Sequence, residues 1–395
     1  MHIDSVHARA ILDTRGRPTI ETTLVSRHLK ATASVPSGKS TGSHEACELR
    51  DPDGGVTQAI ANVEGTIAQA LIGRDFVSSD DIDALLIVID GTADKSHLGA
   101  NAMLSISIAA ERLFAQEARI PLWRSIANRA RVTPAVPHLY VNVMNGGAHA
   151  DFKLPFQEYL LVVEGSTHAA LKEAHEVFTK LGEKLGKVPM GDEGGYAPTF
   201  DTLEEPFEIL SELIAPHPSM SIAIDAAASE LYHDAAYRLL GKEYSADDLS
   251  RVYENLVARY PMHSIEDPFD EDAHGDFARL MTILGKKTRI VGDDLTVTNP
   301  ERIESASAHG EINAVLIKPN QIGTLQETIV AVQDTRAAEF EAIASHRSGE
   351  TDDTFIADFA YGIGAHGIKA GGLGQKERLL KYERLVAIER ESLSL

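Results

Sequence analysis

In the second half of this chain, short apolar runs repeatedly stop at a charged residue. Residues 221–224 run into Asp225, 263–265 into Glu266, 288–292 into Asp293, and 313–317 into Lys318. Residues 341–345 run into His346 and Arg347, and 367–368 into Lys369. The intervals between these ends are 41, 27, 25, 28 and 23 residues, and a strand–helix–strand unit needs about 30. Two further strands read at 138–144 and 157–163 bring the set to eight, the number that closes a β/α barrel. Charged groups at the same ends of parallel strands converge on one mouth, where such barrels build their sites.

Ahead of this rhythm the pattern differs. Strands are predicted over 3–12, 19–26 and about 31–35, and helices over 56–72, 80–90 and 100–118. The last helix is apolar on most faces as far as Glu111, which predicts burial. Pro134 and Pro137 mark a junction. The expected division is therefore an α+β domain over 1–134 and the barrel over 135–395. Helix signals in the barrel include a cap at Ser245, Asn299-Pro300, and a Thr324/Glu327 capping box.

The strand ends carry the chemistry. Asp225, Glu266 and Asp293 offer hard oxygen donors, which suit Mg²⁺. Lys318 would have its pKa depressed beside metal ions, which makes it a candidate base. Gly191-Asp192-Glu193-Gly194-Gly195 brings an acid close to a ligand; Glu193 is the candidate general acid, with Glu158 as its partner. A carboxyl among carboxylates has its pKa raised, which would keep a proton on Glu193. His346, Arg347, Ser348 and Lys369 suit an anionic substrate. His149 alone is ambiguous.

Gly38-Lys39-Ser40 imitates a phosphate-binding loop, but Ala33 stands where that loop needs its first glycine, and Pro36 removes an N–H donor. A small, polar lid is the better reading. The net charge of −22 argues against nucleic acid or an anionic membrane as partner. A single cysteine, Cys47, precludes an internal disulfide, and no signal or membrane-spanning run is seen, so a cytoplasmic location is expected.

The motifs then converge. Asp13-Thr14-Arg15-Gly16-Arg17-Pro18, Ser37-Gly38-Lys39-Ser40-Thr41-Gly42, Gly191 onward, Ser264-Ile265-Glu266-Asp267-Pro268-Phe269, Gly292-Asp293-Asp294-Leu295, Lys318 onward and Ser345 to Glu350 together resemble the enolase family over nearly the whole length. The resemblance implies an α/β fold, an enolase-type TIM-like β/α barrel with an N-terminal α+β domain and one early antiparallel strand. It implies two Mg²⁺ ions, one on Asp225, Glu266 and Asp293 and a second reached by Ser40. Lys318 is implied as the base that takes the proton α to a carboxylate. Glu193 and Glu158 are implied to assist departure of hydroxide, and His149, Gln157, Arg347, Ser348 and Lys369 to contact the substrate. The activity implied is dehydration of 2-phosphoglycerate to phosphoenolpyruvate.

Several positions depart from the family pattern. Lys39 stands where alanine is usual, Pro319 follows the base, Ala370 follows Lys369, and 151–156 is a recast loop before Gln157. These changes cluster around the substrate. They raise a second reading, a paralogue of phosphonate antibiotic biosynthesis, carboxyphosphonoenolpyruvate synthase-like, in which Lys39 meets an extra anionic group. A noncatalytic binding protein of the same fold is the third reading, disfavoured by the retained acids and Lys318. Arg390 stands where glutamate is usual opposite Arg9, so a homo-oligomer with altered contacts is expected.

Overall fold

The computed structural model describes residues 1–39, 41–150 and 154–393. Ser40, expected at a second metal, and residues 151–153 of the recast loop lie outside the described residues. The chain opens with an antiparallel meander of β1 (Ser5–Leu12), β2 (Pro18–Ser26) and β3 (Leu29–Ser34). Alternation along β2 turns Ile20, Thr22 and Leu24 inward against the helix Ala100–Ala118. That helix is buried along most of its length, as its apolar surface requires. Its Ser105 hydroxyl is satisfied by Thr22 at 2.6 Å. Arg9 pairs across the meander with Glu21 at 2.6 Å, so this arginine has an acid partner within its own chain.

The remaining strands are β4 (His138–Asn145), β5 (Glu158–Val163) and β6 (Met220–Asp225), followed by a small sheet of β7 (Tyr232–His233), β8 (Ala236–Leu239) and β9 (Lys242–Tyr244). Then come β10 (Met262–Glu266), β11 (Arg289–Gly292), β12 (Ala314–Ile317), β13 (Glu341–Ser345) and β14 (Gly367–Gly371). A closed barrel forms in the order β10-β11-β12-β13-β14-β4-β5-β6. Its neighbours are parallel except at β5, which runs antiparallel to both β4 and β6. Tyr140, Leu160, Val162, Ala223, Val291 and Leu316 fill the interior, so the barrel is a packed core.

The helix signals act much as expected. Ser245 and Asp248 form a full capping box, and the Asn299 side chain accepts from the N–H groups of Glu301 and Arg302. The Thr324 cap departs from the full box. Its hydroxyl accepts from Glu327 N–H but donates to the Glu327 carboxylate at 2.7 Å, whose other oxygen pairs with Lys95 at 2.8 Å.

Buried ion pairs fasten the N-terminal elements onto the barrel. Arg112 grips Asp353 with two bonds of 2.6 and 2.8 Å, and Asp353 also accepts from Ser34 and Phe355 N–H. Ser107 accepts from Leu325 N–H, the first residue of the helix Leu325–Ala337.

Candidate active site

The sequence places one functional group at each strand end, and closure brings them together. Asp225 and Glu266 end β6 and β10 and are register partners. Asp293 and Lys318 follow β11 and β12 directly. Lys369 lies within β14. Glu158 is the first residue of β5, yet it joins the same mouth because β5 runs the other way; it stands opposite Asp225 and Asn145. One cavity of about 270 Å³ is lined by His149, Gln157, Glu158, Glu193, Asp225, Lys318, His346, Arg347, Ser348 and Lys369. Glu266 and Asp293 reach this cavity through the two lysines.

The Lys369 ammonium is buried among acids. It lies 2.8 Å from both Glu266 oxygens, 3.1 Å from Glu158 and 3.2 Å from Asp225. Burial lowers its pKa, but these carboxylates outweigh that and hold it well above the ordinary range. Asp225 also accepts from Gln157 Nε2 at 3.1 Å. Burial and the Asp225 and Asp293 charges push Glu266 well up. Three carboxylates under 10% exposed, from three adjacent strands, form a concentrated hard-oxygen donor set. Such a set fits a small divalent cation: its negative charges are costly when buried unless cations face them.

The Lys318 ammonium is paired with Asp293, and that carboxylate outweighs burial and the positive charges of Arg347 and Lys369, so its pKa is raised. The depression expected beside metal ions requires positive charge, whereas here the group closest to the amine is negative. Gln321 holds the other Asp293 oxygen at 2.9 Å, and Thr298 fixes the pair by accepting from Lys318 N–H and donating to Gln321. Asp267 orients the next turn, accepting from Asp293 N–H at 2.9 Å and Asp294 N–H at 2.8 Å.

Across the mouth, Glu158 and Glu193 behave oppositely. Burial and the Glu193 charge push Glu158 well up. Burial also acts to raise Glu193, but His149, His346 and a hydrogen bond with Glu158 hold it well below the usual carboxylate range. Asn142 donates to Glu193 at 3.0 Å, and the two imidazoles lie 3.6 Å away. The two carboxyls interact directly, and their neighbours favour protonation of Glu158 and disfavour that of Glu193, the reverse of the expected order.

The loop at Ser37 packs down on the site. Ser37 and Gly349 exchange backbone hydrogen bonds of 2.9 Å. A side chain at Gly38 would collide with the Arg347 guanidinium, so only glycine allows this approach. Arg347 is held by Glu45 at 2.9 and 3.1 Å and by Asn320 at 3.1 Å. Lys39 crosses to the opposite rim, donating to Asp192 at 2.7 Å and to the Ala148 carbonyl at 2.8 Å. Its charge is thus matched by Asp192, and it does not line the cavity, which corrects its expected place among the substrate contacts.

Some groups escaped sequence reasoning. Arg378, wholly buried in the helix Lys376–Ser392, donates to the His346 ring and to the Arg347 and Ser348 carbonyls. It sits in a run of mixed charge that looks like a solvated helix face. Asn142 lies mid-strand with no flanking motif. Glu45 and Gln321 were within reach, since both stand beside motifs already noted.

Comparisons with known proteins match this geometry. The family model described as "Enolase, C-terminal TIM barrel domain" matches residues 133–394, and "Enolase, N-terminal domain" matches 3–126. A protein named Enolase from Methanopyrus kandleri (strain AV19) is 43% identical over 410 residues, covering 98% of this chain and 96% of that protein. The chain belongs to the enolase family. Another relative named Enolase, from Anaplasma phagocytophilum (strain HZ), is also 43% identical, over 407 residues, with 98% and 94% covered. Among the described residues, no helix is long and apolar enough to cross a membrane.

Proposed function

We propose that this chain is a Mg²⁺-dependent lyase that removes water from 2-phosphoglycerate to give phosphoenolpyruvate. The observation that carries the reading is the opposition, across one small cavity, of a lysine on one wall and a directly interacting carboxyl pair on the other. Full-length similarity to proteins named Enolase supports it. We assign the metal to Asp225, Glu266 and Asp293. When bound, Mg²⁺ supplies positive charge that stabilises the developing dianion of the substrate carboxylate.

The chain's own groups do the proton work. A cation on Asp293 would free the Lys318 ammonium from that carboxylate and favour its neutral amine, which takes the proton from C2, α to the carboxylate, while the electron pair forms the C2=C3 double bond. Glu158, the member of the pair that holds the proton, delivers it toward the leaving hydroxyl on C3, with Glu193 as its hydrogen-bonded partner. One proton leaves C2 and one hydroxide leaves C3, so water and the enol phosphate balance. Arg347, Ser348, Lys369, His149, Gln157 and His346 line the cavity and bind the anionic groups. His346 is held neutral by burial, which suits hydrogen bonding more than charge pairing.

The phosphonate reading is not favoured. Its particular support was that Lys39 would meet an extra anionic group of the substrate, and that ammonium instead pairs with Asp192 at 2.7 Å. The test is metal dependence. Chelated protein should be inactive on 2-phosphoglycerate and regain turnover with Mg²⁺. Asp293→Ala should require far more Mg²⁺, since the ion loses one of few protein ligands. Equal Mg²⁺ affinity in the variant would remove Asp293 from the metal site.

A further inference from the structure

The opposite end of the barrel carries a second cluster of ligand-type side chains. His263 is the second residue of β10, Glu341 the first of β13, and His366 immediately precedes β14. Each lies at the strand end away from the mouth. His263 and Glu266 are three residues apart, about 10 Å along a strand, and so are His366 and Lys369. In the barrel order, β10 and β14 stand on opposite walls. A register shift between Met262 and Ser264 breaks the alternation of β10. Such irregularities re-aim a side chain, and the His263 ring packs against Tyr140 of the barrel interior and stacks on His366.

The donor atoms meet at one point. His366 Nε2 lies 3.4 Å from His263 Nε2 and 3.2 Å from Glu341 Oε2. The Glu341 oxygen is buried yet has no aligned hydrogen bond among the described residues. A tetrahedral ion with bonds of about 2.0–2.1 Å holds its ligands about 3.3 Å apart. Arg289 grips the other Glu341 oxygen at 2.5 Å, which leaves Oε2 turned to the imidazoles. An outer partner of this kind orients a ligating carboxylate.

We propose that His263, His366 and Glu341 form a transition-metal site at the base of the barrel, for Zn²⁺ or a similar borderline divalent ion. Two imidazoles and a carboxylate select such ions over Mg²⁺, which prefers all-oxygen surroundings. The protonation states agree. Burial, and for His263 the neighbouring His366, holds both rings below their usual pKa, about 4 for His263. Glu341 is lowered against burial by its bond to Arg289 and the histidines, so it is ionised. His366 and Glu341 are about a quarter exposed, which gives an ion access and leaves a fourth position for water. A bound ion would fasten opposite barrel walls and stabilise the fold by mass action.

The probe is Co²⁺, followed by Zn²⁺, added to the full chain in saturating Mg²⁺ so that the mouth carboxylates are occupied. The expected result is one equivalent of Co²⁺ with tetrahedral visible absorption, displaced by Zn²⁺, and a raised Tm. His263→Gln and His366→Gln should each weaken binding by at least about tenfold, the low end even for losing a group that only orients a ligand. Their turnover with Mg²⁺ should be unchanged. Anomalous diffraction from Zn²⁺-soaked crystals of the unaltered chain locates the ion independently of any variant. Scattering at His263, His366 and Glu341 supports the site. Scattering only at the mouth, no uptake in Mg²⁺, or undiminished binding by both variants overturns it and leaves a hydrogen-bonded imidazole pair.

Discussion

Glu158 and Glu193 face each other from β5 and from the loop after Met190, and their proton affinities are displaced in opposite directions. The asymmetry comes from their neighbours: Glu193 receives Asn142 and faces two imidazoles, whereas Glu158 faces Glu193 and Asp225. One proton should therefore persist on Glu158 at neutral pH. Infrared spectra should show a neutral buried carboxyl that Glu158→Gln abolishes. A band that survived that change and vanished in Glu193→Gln would reverse the assignment.

Arg112 and Asp353 should give the fold a measurable acid sensitivity. Burial raises the Asp353 pKa, but Arg112 outweighs it and the folded value is lowered. A depressed carboxylate contributes stability above its unfolded value, about 3.9. That contribution is lost as pH falls through the lower folded value. Arg112→Ala should cost about 3 kcal/mol at pH 7, the low end for breaking a buried pair. The gap from the unaltered chain should shrink as pH drops below 4. Denaturant midpoints across that range test it, and a gap independent of pH would contradict the assignment.

Lys39 is predicted to act as a latch across the mouth. Its pair with Asp192 is about one-third exposed on each side, so it is worth roughly 0.2–1 kcal/mol. Lys39→Ala should raise KM for 2-phosphoglycerate up to about fivefold, with little change in kcat. Asp192→Asn should do the same, and the double variant should add little. Selective loss with a carboxyphosphono analogue would restore the phosphonate reading.

Much of this was legible in the sequence, for a definite reason. A buried parallel strand must be apolar until it reaches the mouth, so a charged residue ending such a run marks both the strand and the site. Asp225, Glu266, Asp293, Lys318 and Lys369 were all visible in that way. Glu158 was harder, because in an antiparallel strand the functional end comes first. Arg378 was invisible: helix Lys376–Ser392 is charged on all sides, and only packing reveals which arginine is buried. The direction of the Lys318 shift depended on the distance to Asp293, which spacing along the chain does not encode. The base of the barrel was missed because His263 sits at a register shift, where alternation no longer tells which way a side chain points.

The central claim is that Lys318 takes the C2 proton while the Glu158–Glu193 pair serves the departing hydroxyl. It is tested most directly with 2-phosphoglycerate deuterated at C2, in Mg²⁺ and ordinary water, following label release and phosphoenolpyruvate together. The unaltered chain should do both. Lys318→Ala should lose both by about 10²–10⁴-fold, the usual contribution of a general base. Glu158→Gln should still release label while forming product slowly. Label release by Lys318→Ala at the unaltered rate, or its loss in Glu158→Gln alone, would contradict the account.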